Sequence, residues 1–227
     1  MPQTPRAFVF DAYGTLFDVH SVVMRAGAGI TGDLDSLSRL WRQKQLEFTW
    51  LRALMDRYED FAHVTEAALR TALAQLRIEA NEQQVRQLLA AYLTPAVFPD
   101  AKAALEALVD LPRAILSNGT PAMLEAAVRA AGIESHFSHI ISVDRVRTYK
   151  PSRKVYQLAL DAFGLPAAEI LFVSSNAWDA AGAKAFGYRV YWCNRGRGEM
   201  DRLGFEPDFV VTSLDEIAGN SKLNRGV

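Results

Sequence analysis

The sequence predicts an α/β fold in which a doubly wound parallel sheet carries an inserted helical domain. The first observation is a set of short apolar segments rich in Val, Ile and Phe, which read as strands buried on both faces. The second is the alternation of these segments with helix-like segments from Pro99 onward. The third is a long stretch after the first apolar segment that has helical patterns and no strong strand pattern.

Six apolar segments are predicted to form the sheet. Each is continuous rather than alternating in hydrophobicity, which is typical of parallel strands covered by helices on both faces. In chain order they are AFVF (Ala7 to Phe10), AILS (Ala114 to Ser117), HIISV (His139 to Val143), ILFVSS (Ile170 to Ser175), RVYWC (Arg189 to Cys193) and FVV (Phe209 to Val211).

Helical patterns between these segments end at glycines, which readily take the left-handed conformation found at the C-terminus of a helix. They are Pro121 to Ala131 before Gly132, Ser152 to Phe163 before Gly164, and Trp178 to Phe186 before Gly187. Strands and helices therefore alternate, and the core is predicted to be Rossmann-like.

Residues 18–97 are predicted to form a helical cap domain, and residues 1–17 with 98–227 the α/β core domain. The segments LWRQKQLEFTWLRALMDRY and EAALRTALAQLRI have helical periodicity, and two prolines between Thr94 and Pro99 end the helical pattern. Open α/β sheets bind ligands at the carboxyl ends of their strands, so a cap inserted after the first strand would cover that edge.

Composition and charge argue against several classes of partner. The 227 residues carry 25 basic and 26 acidic side chains, and the net charge of −1 indicates neither nucleic acid nor a membrane surface as a partner. The single cysteine, Cys193, excludes an intrachain disulfide and suits a reducing compartment. No segment has the length of a membrane span, and the N-terminal apolar run is too short for a signal peptide. We therefore expect a cytoplasmic protein.

Polar side chains lie at or beyond the ends of four predicted strands. They are Asp11 with Thr15, Ser117 with Asn118, Lys150, and Ser174 with Asn176 and Asp179. Because the carboxyl ends of parallel strands meet at one edge of a sheet, we expect these side chains to share a pocket beneath the cap. These residues could instead have a structural role. Asp11 could cap a helix or turn, and Ser174 or Asn176 could cap the helix that begins near Trp178.

Four motifs in this order resemble those of the haloacid dehalogenase superfamily. They are Asp11-Ala-Tyr-Gly-Thr15, Ser117-Asn-Gly, Lys150-Pro and Ser174-Ser-Asn-Ala-Trp-Asp179. The segments LWRQKQLEFTW and SSNAWDAAGA further resemble the L-2-haloacid dehalogenase (type II) family. The resemblance implies a hydrolase that converts (S)-2-haloalkanoic acids to (R)-2-hydroxy acids and halide through an ester on Asp11.

The sequence departs in two places from the phosphatases of the same superfamily. Tyr13 stands where phosphatases have a general-acid aspartate, and Ser174-Ser175 stands where they have Gly-Asp with a magnesium ligand. Attack of a carboxylate on a phosphoryl group needs a cation to offset the charge and a proton for the leaving group, whereas displacement of halide from carbon needs neither. The four histidines also lack metal-ligand spacing. We therefore expect neither a metal nor a cofactor.

The resemblance implies a catalytic role for eight residues. Asp11 is the nucleophile, Lys150 keeps its carboxylate ionised, and Asp179 is the partner of Lys150 and a candidate base. The full catalytic set is Asp11, Thr15, Arg42, Lys150, Tyr156, Ser174, Asn176 and Asp179.

The resemblance also implies three sets of substrate-binding residues. The substrate carboxylate is expected at Ser117 and at backbone N–H groups near Tyr13 and Leu16. A halide cradle of positive donors is expected from Arg42, Asn118 and Trp178. The alkyl group is expected against Tyr13, Gln43, Leu46 and Phe61.

Two other functions are compatible with the sequence. One is a cap-bearing, phosphatase-like hydrolase of the same superfamily, and the other is a catalytically silent member that binds a partner. The expected partners of the dehalogenase are a small 2-haloalkanoic acid and halide, and the resemblance implies a homodimer that packs through its cap helices.

Overall fold

The structure, a computed structural model, describes residues 4–223 and contains a six-stranded parallel sheet. The strands of the whole fold are β1 (Ala7–Phe10), β2 (Phe17–Asp18), β3 (Ala96–Val97), β4 (Arg113–Ser117), β5 (His139–Ser142), β6 (Ile170–Ser174), β7 (Arg189–Cys193) and β8 (Phe209–Val211). The large sheet has the order β5-β4-β1-β6-β7-β8, and all of its neighbouring strands pair in parallel. The predicted α/β class with a doubly wound parallel sheet is confirmed.

Strand β1 lies in the middle of the sheet, and all four of its residues are buried. Phe10 at its end lies opposite Ile115 of β4 on one side and Val173 of β6 on the other. The chain passes to opposite sides of β1 in its two halves, so the strand order reverses there. Ligands bind at such a reversal point in open α/β sheets, and Asp11 is the first residue beyond it.

The described chain contains nine α-helices. They are α1 (Ser21–Ala26), α2 (Leu34–Leu54), α3 (Phe61–Leu76), α4 (Glu82–Tyr92), α5 (Pro99–Ala107), α6 (Pro121–Ala131), α7 (Arg153–Phe163), α8 (Ala177–Phe186) and α9 (Asp215–Leu223). The predicted ends of α6 and α7 are confirmed, because Gly132 and Gly164 have φ angles of 66° and 63°. Glycine takes this left-handed conformation without the steric cost that a Cβ atom brings.

Helices α1 to α4 lie between β2 and β3, which pair in antiparallel fashion with Phe17 opposite Val97. This two-stranded pair was not predicted, because strands of two residues carry no periodic signal in a sequence. The pair brings together the points where the chain leaves and rejoins the core. The division into a core of residues 1–17 and 98–227 and a cap of residues 18–97 stays a prediction, and residues 1–3 and 224–227 lie outside the described part.

Local sequence explains where the long helices of this segment begin. The side chain of Asp33 accepts a hydrogen bond from the Ser36 N–H at the start of α2, and Asp60 does the same for His63 at the start of α3. Helix α2 packs mainly against α3, where the indole N–H of Trp41 donates to the carbonyl of Thr65 over 2.9 Å. Across residues 4–223, no helix combines the length and the apolarity that a membrane crossing requires.

Candidate active site

The carboxylate of Asp11 is 6% exposed, and its two oxygens have different surroundings. Oδ2 accepts hydrogen bonds from Thr15 Oγ1 at 2.9 Å, Asn176 Nδ2 at 2.7 Å and Ser174 Oγ at 3.4 Å. Oδ1 accepts only from Lys150 Nζ, at 3.0 Å, among the residues that the structure describes. Oδ1 therefore keeps a lone pair for a reacting atom, while the bonding capacity of Oδ2 is taken up.

A tight turn after β1 builds this arrangement. The N–H groups of Thr15 and Leu16 both donate to the carbonyl of Ala12, over 3.2 and 2.8 Å, which brings the Thr15 hydroxyl back to Asp11. Gly14 has a φ of 90°, and a Cβ atom there would lie 3.4 Å from the amide of Asn176. The positive φ favours glycine at this position, whereas 3.4 Å is an ordinary van der Waals distance.

The ammonium group of Lys150 bridges two buried carboxylates. Its Nζ lies 3.0 Å from Asp11 Oδ1 and 2.8 Å from Asp179 Oδ2, and the hydroxyl of Tyr156 donates to Asp179 Oδ1 over 2.8 Å. Lys150 is 1% exposed, and burial by itself lowers the pKa of an amine. The charges of Asp11 and Asp179 outweigh burial and raise the pKa of Lys150, so the ammonium stays charged at neutral pH.

The pKa of Asp179 leads to a prediction about pH. Burial raises the pKa of this carboxyl group to about 6; the Lys150 ammonium opposes the shift and the Asp11 charge adds to it. We expect activity to fall below about pH 6, because protonated Asp179 no longer anchors Lys150 beside Asp11. The measurement is the pH profile of kcat/KM for halide release.

The free energy of unfolding should change in the opposite direction over the same pH range. A raised carboxyl pKa means that the folded state binds more protons than the unfolded state between the ordinary value of 3.8 and about 6. Acidification through that range therefore stabilises the fold through Asp179 while activity declines. The Asp179→Asn variant is the control for the pH profile of kcat/KM. If its residual activity shows the same decline at acidic pH, the decline is not caused by protonation of Asp179.

Three residues predicted to hold halide present donors with unused capacity. Arg42 Nη2 contacts the Tyr13 carbonyl at 3.1 Å and Asn176 Oδ1 at 3.4 Å, which places its guanidinium beside the Asp11 cluster. Asn118 is buried and its Oδ1 accepts from the Lys150 N–H, so its NH₂ group is directed elsewhere. The indole N–H of Trp178 is also buried, without a partner in the described part of the chain.

The predicted carboxylate-binding groups fare differently. Ser117 Oγ is buried and accepts from the Gly119 N–H, which leaves its own proton to donate. The Tyr13 N–H has no acceptor within residues 4–223. The Leu16 N–H already donates to the Ala12 carbonyl, and the binding of a substrate carboxylate near Tyr13 and Leu16 stays a prediction.

Aromatic residues form the apolar side of the site. The ring centroid of Tyr13 lies 5.8 Å from that of Phe61 and 5.4 Å from that of Tyr92. Leu46 is half-buried on α2, whereas Gln43 is exposed and no described contact connects it to the Asp11 cluster. The roles of Leu46 and Gln43 stay predictions.

The structure contradicts the idea that Asn176 caps α8 through its side chain. Asn176 occupies the N-cap position but makes no side-chain cap, because its amide donates to Asp11 Oδ2 and to the Tyr13 carbonyl. Ser174 Oγ instead accepts from the Asn176 N–H at 3.1 Å. The polar residues after β6 therefore serve the Asp11 carboxylate more than the helix.

Arg195 was not among the predicted site residues, yet it holds the turn that follows β1. Its Nη2 donates to the Thr15 carbonyl at 3.0 Å, and its Nη1 donates to Ser175 Oγ at 2.9 Å. The carboxylate of Asp100 accepts hydrogen bonds from both Nε and Nη2 of Arg195, each at 2.9 Å. Arg195 follows the end of β7, so the rule that strand ends carry functional residues could have identified it. No motif in the sequence marked it.

A cavity of about 860 Å³ opens beside Lys150. Its lining includes Trp50, Leu54, Tyr149, Lys150, Trp178 and Leu203. The indole rings of Trp50 and Trp178 meet edge to face, with centroids 5.5 Å apart. Lys150 therefore lies in the wall of a cavity that is lined largely by aromatic and aliphatic side chains.

Comparisons with known proteins agree with this geometry. A profile described as haloacid dehalogenase-like hydrolase matches residues 5–187. The chain is 47% identical over 211 residues to the (S)-2-haloacid dehalogenase of Pseudomonas sp. (strain YL), covering 92% of this chain and 91% of that protein. It is 46% identical over 213 residues to haloacetate dehalogenase H-2 of Moraxella sp. (strain B), covering 93% and 95%.

A solved structure extends the likeness to the whole fold. It is the L-2-haloacid dehalogenase from Xanthobacter autotrophicus with chloropropionic acid covalently bound, which superposes with a TM-score of 0.91 at 40% identity. The match covers 99% of this chain and 100% of that one. With its fold, the cluster around Asp11 and these relatives, the chain belongs to the haloacid dehalogenase-like hydrolases and, among them, to the (S)-2-haloacid dehalogenase family.

Proposed function

We propose that this enzyme hydrolyses (S)-2-haloalkanoic acids to (R)-2-hydroxy acids and halide, through an ester formed on Asp11. The observation that carries the proposal is the difference between the two oxygens of Asp11. Oδ2 is held by three donors, whereas Oδ1 faces Lys150 alone among the described residues. The names of two relatives, (S)-2-haloacid dehalogenase and L-2-haloacid dehalogenase, state the same class of substrate.

In the first step, Asp11 Oδ1 attacks C2 of the substrate from the side opposite the halogen. The C–O bond forms as the C–halogen bond breaks, and the bonding electron pair leaves with the halide, so no proton is transferred. Negative charge moves from Oδ1 to the leaving group. The Arg42 guanidinium, the Asn118 amide and the edge of Trp178 receive it in a site from which water is largely excluded.

In the second step, water attacks the carbonyl carbon of the Asp11 ester. Oδ2 is then the carbonyl oxygen, and the donors from Thr15, Asn176 and Ser174 are already in place for the oxyanion that develops on it. Asp179 is the candidate base for the water proton. The Cγ–Oδ1 bond then breaks, and Oδ1 leaves as the hydroxyl oxygen of the 2-hydroxy acid with the proton that Asp179 removed from water. The Oδ1–C2 bond stays intact, so the inversion from the first step is kept.

We propose that no metal ion takes part. Lys150 Nζ lies between the carboxylates of Asp11 and Asp179, at 3.0 and 2.8 Å, and supplies the positive charge at the point where a cation would bridge them. Carbon at C2 is uncharged, so the nucleophile meets no anionic centre of the kind that makes phosphoryl transfer depend on a metal.

Halide release tests the function and its two alternatives together. We expect the purified enzyme to release chloride from (S)-2-chloropropionate and not from the (R) enantiomer, at the same rate with and without EDTA, and to form (R)-lactate. A phosphatase-like hydrolase would instead require Mg²⁺ and release phosphate from p-nitrophenyl phosphate. A silent binding protein would do neither, and either of these results overturns the proposal.

The helical segment of residues 18–97 is proposed to be a cap that closes the site. Support comes from Arg42 of α2, whose guanidinium reaches the Tyr13 carbonyl and the amide of Asn176. One of the three donors to the leaving group therefore comes from the inserted helices, whereas the nucleophile comes from the end of β1.

We also propose a homodimer that packs through the C-terminal part of α2. Leu54 is 81% exposed and Met55 is 58% exposed at this end of the helix, an apolar surface of the kind that subunit interfaces cover. Sedimentation velocity over a range of concentrations tests it, and a monomer throughout would refute it.

A cytoplasmic location is proposed on the free thiol of Cys193.

A further inference from the structure

We propose that Gln45 is a positioning residue that sets the direction of the Arg42 guanidinium and thereby favours cleavage of the carbon–halogen bond. The inference rests on the proposed function, since it assigns Arg42 to the departing halide. Gln45 lies one helical turn after Arg42 on α2, so the two side chains share a face of the helix. It was not among the predicted site residues.

The side chain of Gln45 is fully buried and its amide is bonded at both ends. Oε1 accepts from Arg42 Nη1 at 2.8 Å and from the Tyr92 hydroxyl at 2.9 Å. Nε2 donates to Thr65 Oγ1 at 2.7 Å. A buried amide group without a partner destabilises the folded state, so the bonds to Arg42, Tyr92 and Thr65 account for a glutamine here better than packing alone.

The bonding of Thr65 fixes which end of the amide faces Arg42. The Thr65 hydroxyl has one proton and donates it to the Phe61 carbonyl over 2.6 Å. Towards Gln45 it can therefore only accept, so Nε2 must face Thr65 and Oε1 must face Arg42. Each member of this chain of hydrogen bonds donates to the next: Arg42 to Gln45, Gln45 to Thr65, and Thr65 to the Phe61 carbonyl of α3.

This chain of bonds holds a long, flexible side chain in one orientation. Nη1 of Arg42 is held by Gln45, and Nη2 by the Tyr13 carbonyl and Asn176. A free arginine side chain loses rotamer entropy on being fixed, and here that loss is incurred on folding rather than in the transition state. The remaining N–H groups are then available in a constant position for an anion.

The test is to separate the two chemical steps in Gln45→Glu and Gln45→Met. The glutamate places a carboxylate against Arg42 and leaves Thr65 without its donor, while methionine removes the acceptor at similar volume. We expect the single-turnover rate of halide release to fall roughly 10- to 100-fold, and to fall further for 2-chloropropionate than for 2-bromopropionate, because chloride is the poorer leaving group and the stronger acceptor. Decay of the Asp11 ester, followed by rapid-quench mass spectrometry, should not change.

Two control variants show whether the effect is specific to position 45. Gln87→Glu makes the same substitution on the exposed face of α4 and should leave both steps and the halogen dependence unchanged. Gln87→Met makes the methionine substitution at the same exposed position and should likewise change neither step. Near-UV circular dichroism and thermal unfolding give the folded fraction by which the rates are scaled.

The outcomes separate this inference from the proposed function. Equal slowing of both steps, equal effects on both halogens, or wild-type rates in the Gln45 variants would overturn the positioning role and leave the dehalogenase activity standing. A wild-type enzyme that releases no halide would instead overturn the proposed function itself.

Discussion

An Asp11→Asn variant is expected to release halide at least about 1,000-fold more slowly than the wild-type enzyme while keeping its fold. The carboxamide has the same shape but no charge, and with its oxygen in the Oδ2 position it presents an NH₂ group, which is not a nucleophile, towards C2. Thr15, Asn176 and Ser174 can still donate to the remaining oxygen. Lys150 keeps Asp179 as an acceptor, so the loss in the free energy of unfolding should stay within about 1–3 kcal/mol.

The measurement combines kinetics with identification of the modified peptide. Halide release is compared with that of Asp161→Asn, the same substitution on the exposed face of α7, which should retain wild-type activity. Wild-type enzyme quenched during turnover should show the alkyl adduct on the peptide that contains Asp11. An adduct on a different peptide, or a variant within tenfold of the wild-type rate, would refute the role of Asp11 as nucleophile.

A Lys150→Met variant is expected to lose both activity and about 3–5 kcal/mol of the free energy of unfolding. Lys150 is buried between two buried carboxylates, and its removal leaves like charges close together without a counterion. Without Lys150, the Asp11 charge raises the pKa of Asp179 with no ammonium to oppose it. The instability should therefore diminish as the pH is lowered and Asp179 takes up a proton.

Denaturant unfolding of matched variants measures this cost. Lys184→Met breaks the partly exposed ion pair with Asp208 and should cost at most about 1 kcal/mol. The double variant Lys150→Met with Asp179→Asn should recover part of the lost stability and none of the activity, because it removes one unpaired charge. Equal destabilisation by the two lysine substitutions would contradict the account of a buried, bridging ammonium group.

Much of the fold was predictable from short-range patterns. Continuous apolar segments gave β1, β7 and β8 their bounds, and glycine marked the ends of α6 and α7. These signals are readable because burial on both faces of a sheet and the left-handed turn after a helix restrict the residue types at each position. The pair of β2 and β3 was missed, because two residues are too few to show a period.

The sequence predicted which residues lie together in the site, but it did not predict which hydrogen bonds they make. Asp11, Lys150, Asp179, Asn176 and Ser174 were expected together because the ends of parallel strands meet at one edge. The sequence did not tell that Leu16 uses its N–H within the turn, or that Asn176 turns its amide away from the helix it begins. Both depend on which acceptor lies nearer, and that is set by distances within a few ångströms.

By itself, the amino-acid sequence determined the α/β class, the order of the strands along the chain and the chemical types at their ends. Only the tertiary structure decided which oxygen of Asp11 is left to react, which guanidinium supports the turn behind it, and that Gln45 accepts a hydrogen bond from Arg42. The reason is physical. Local patterns report burial and backbone conformation, whereas a hydrogen bond between Lys150 and Asp11 joins residues 139 positions apart and exists only once the sheet has formed.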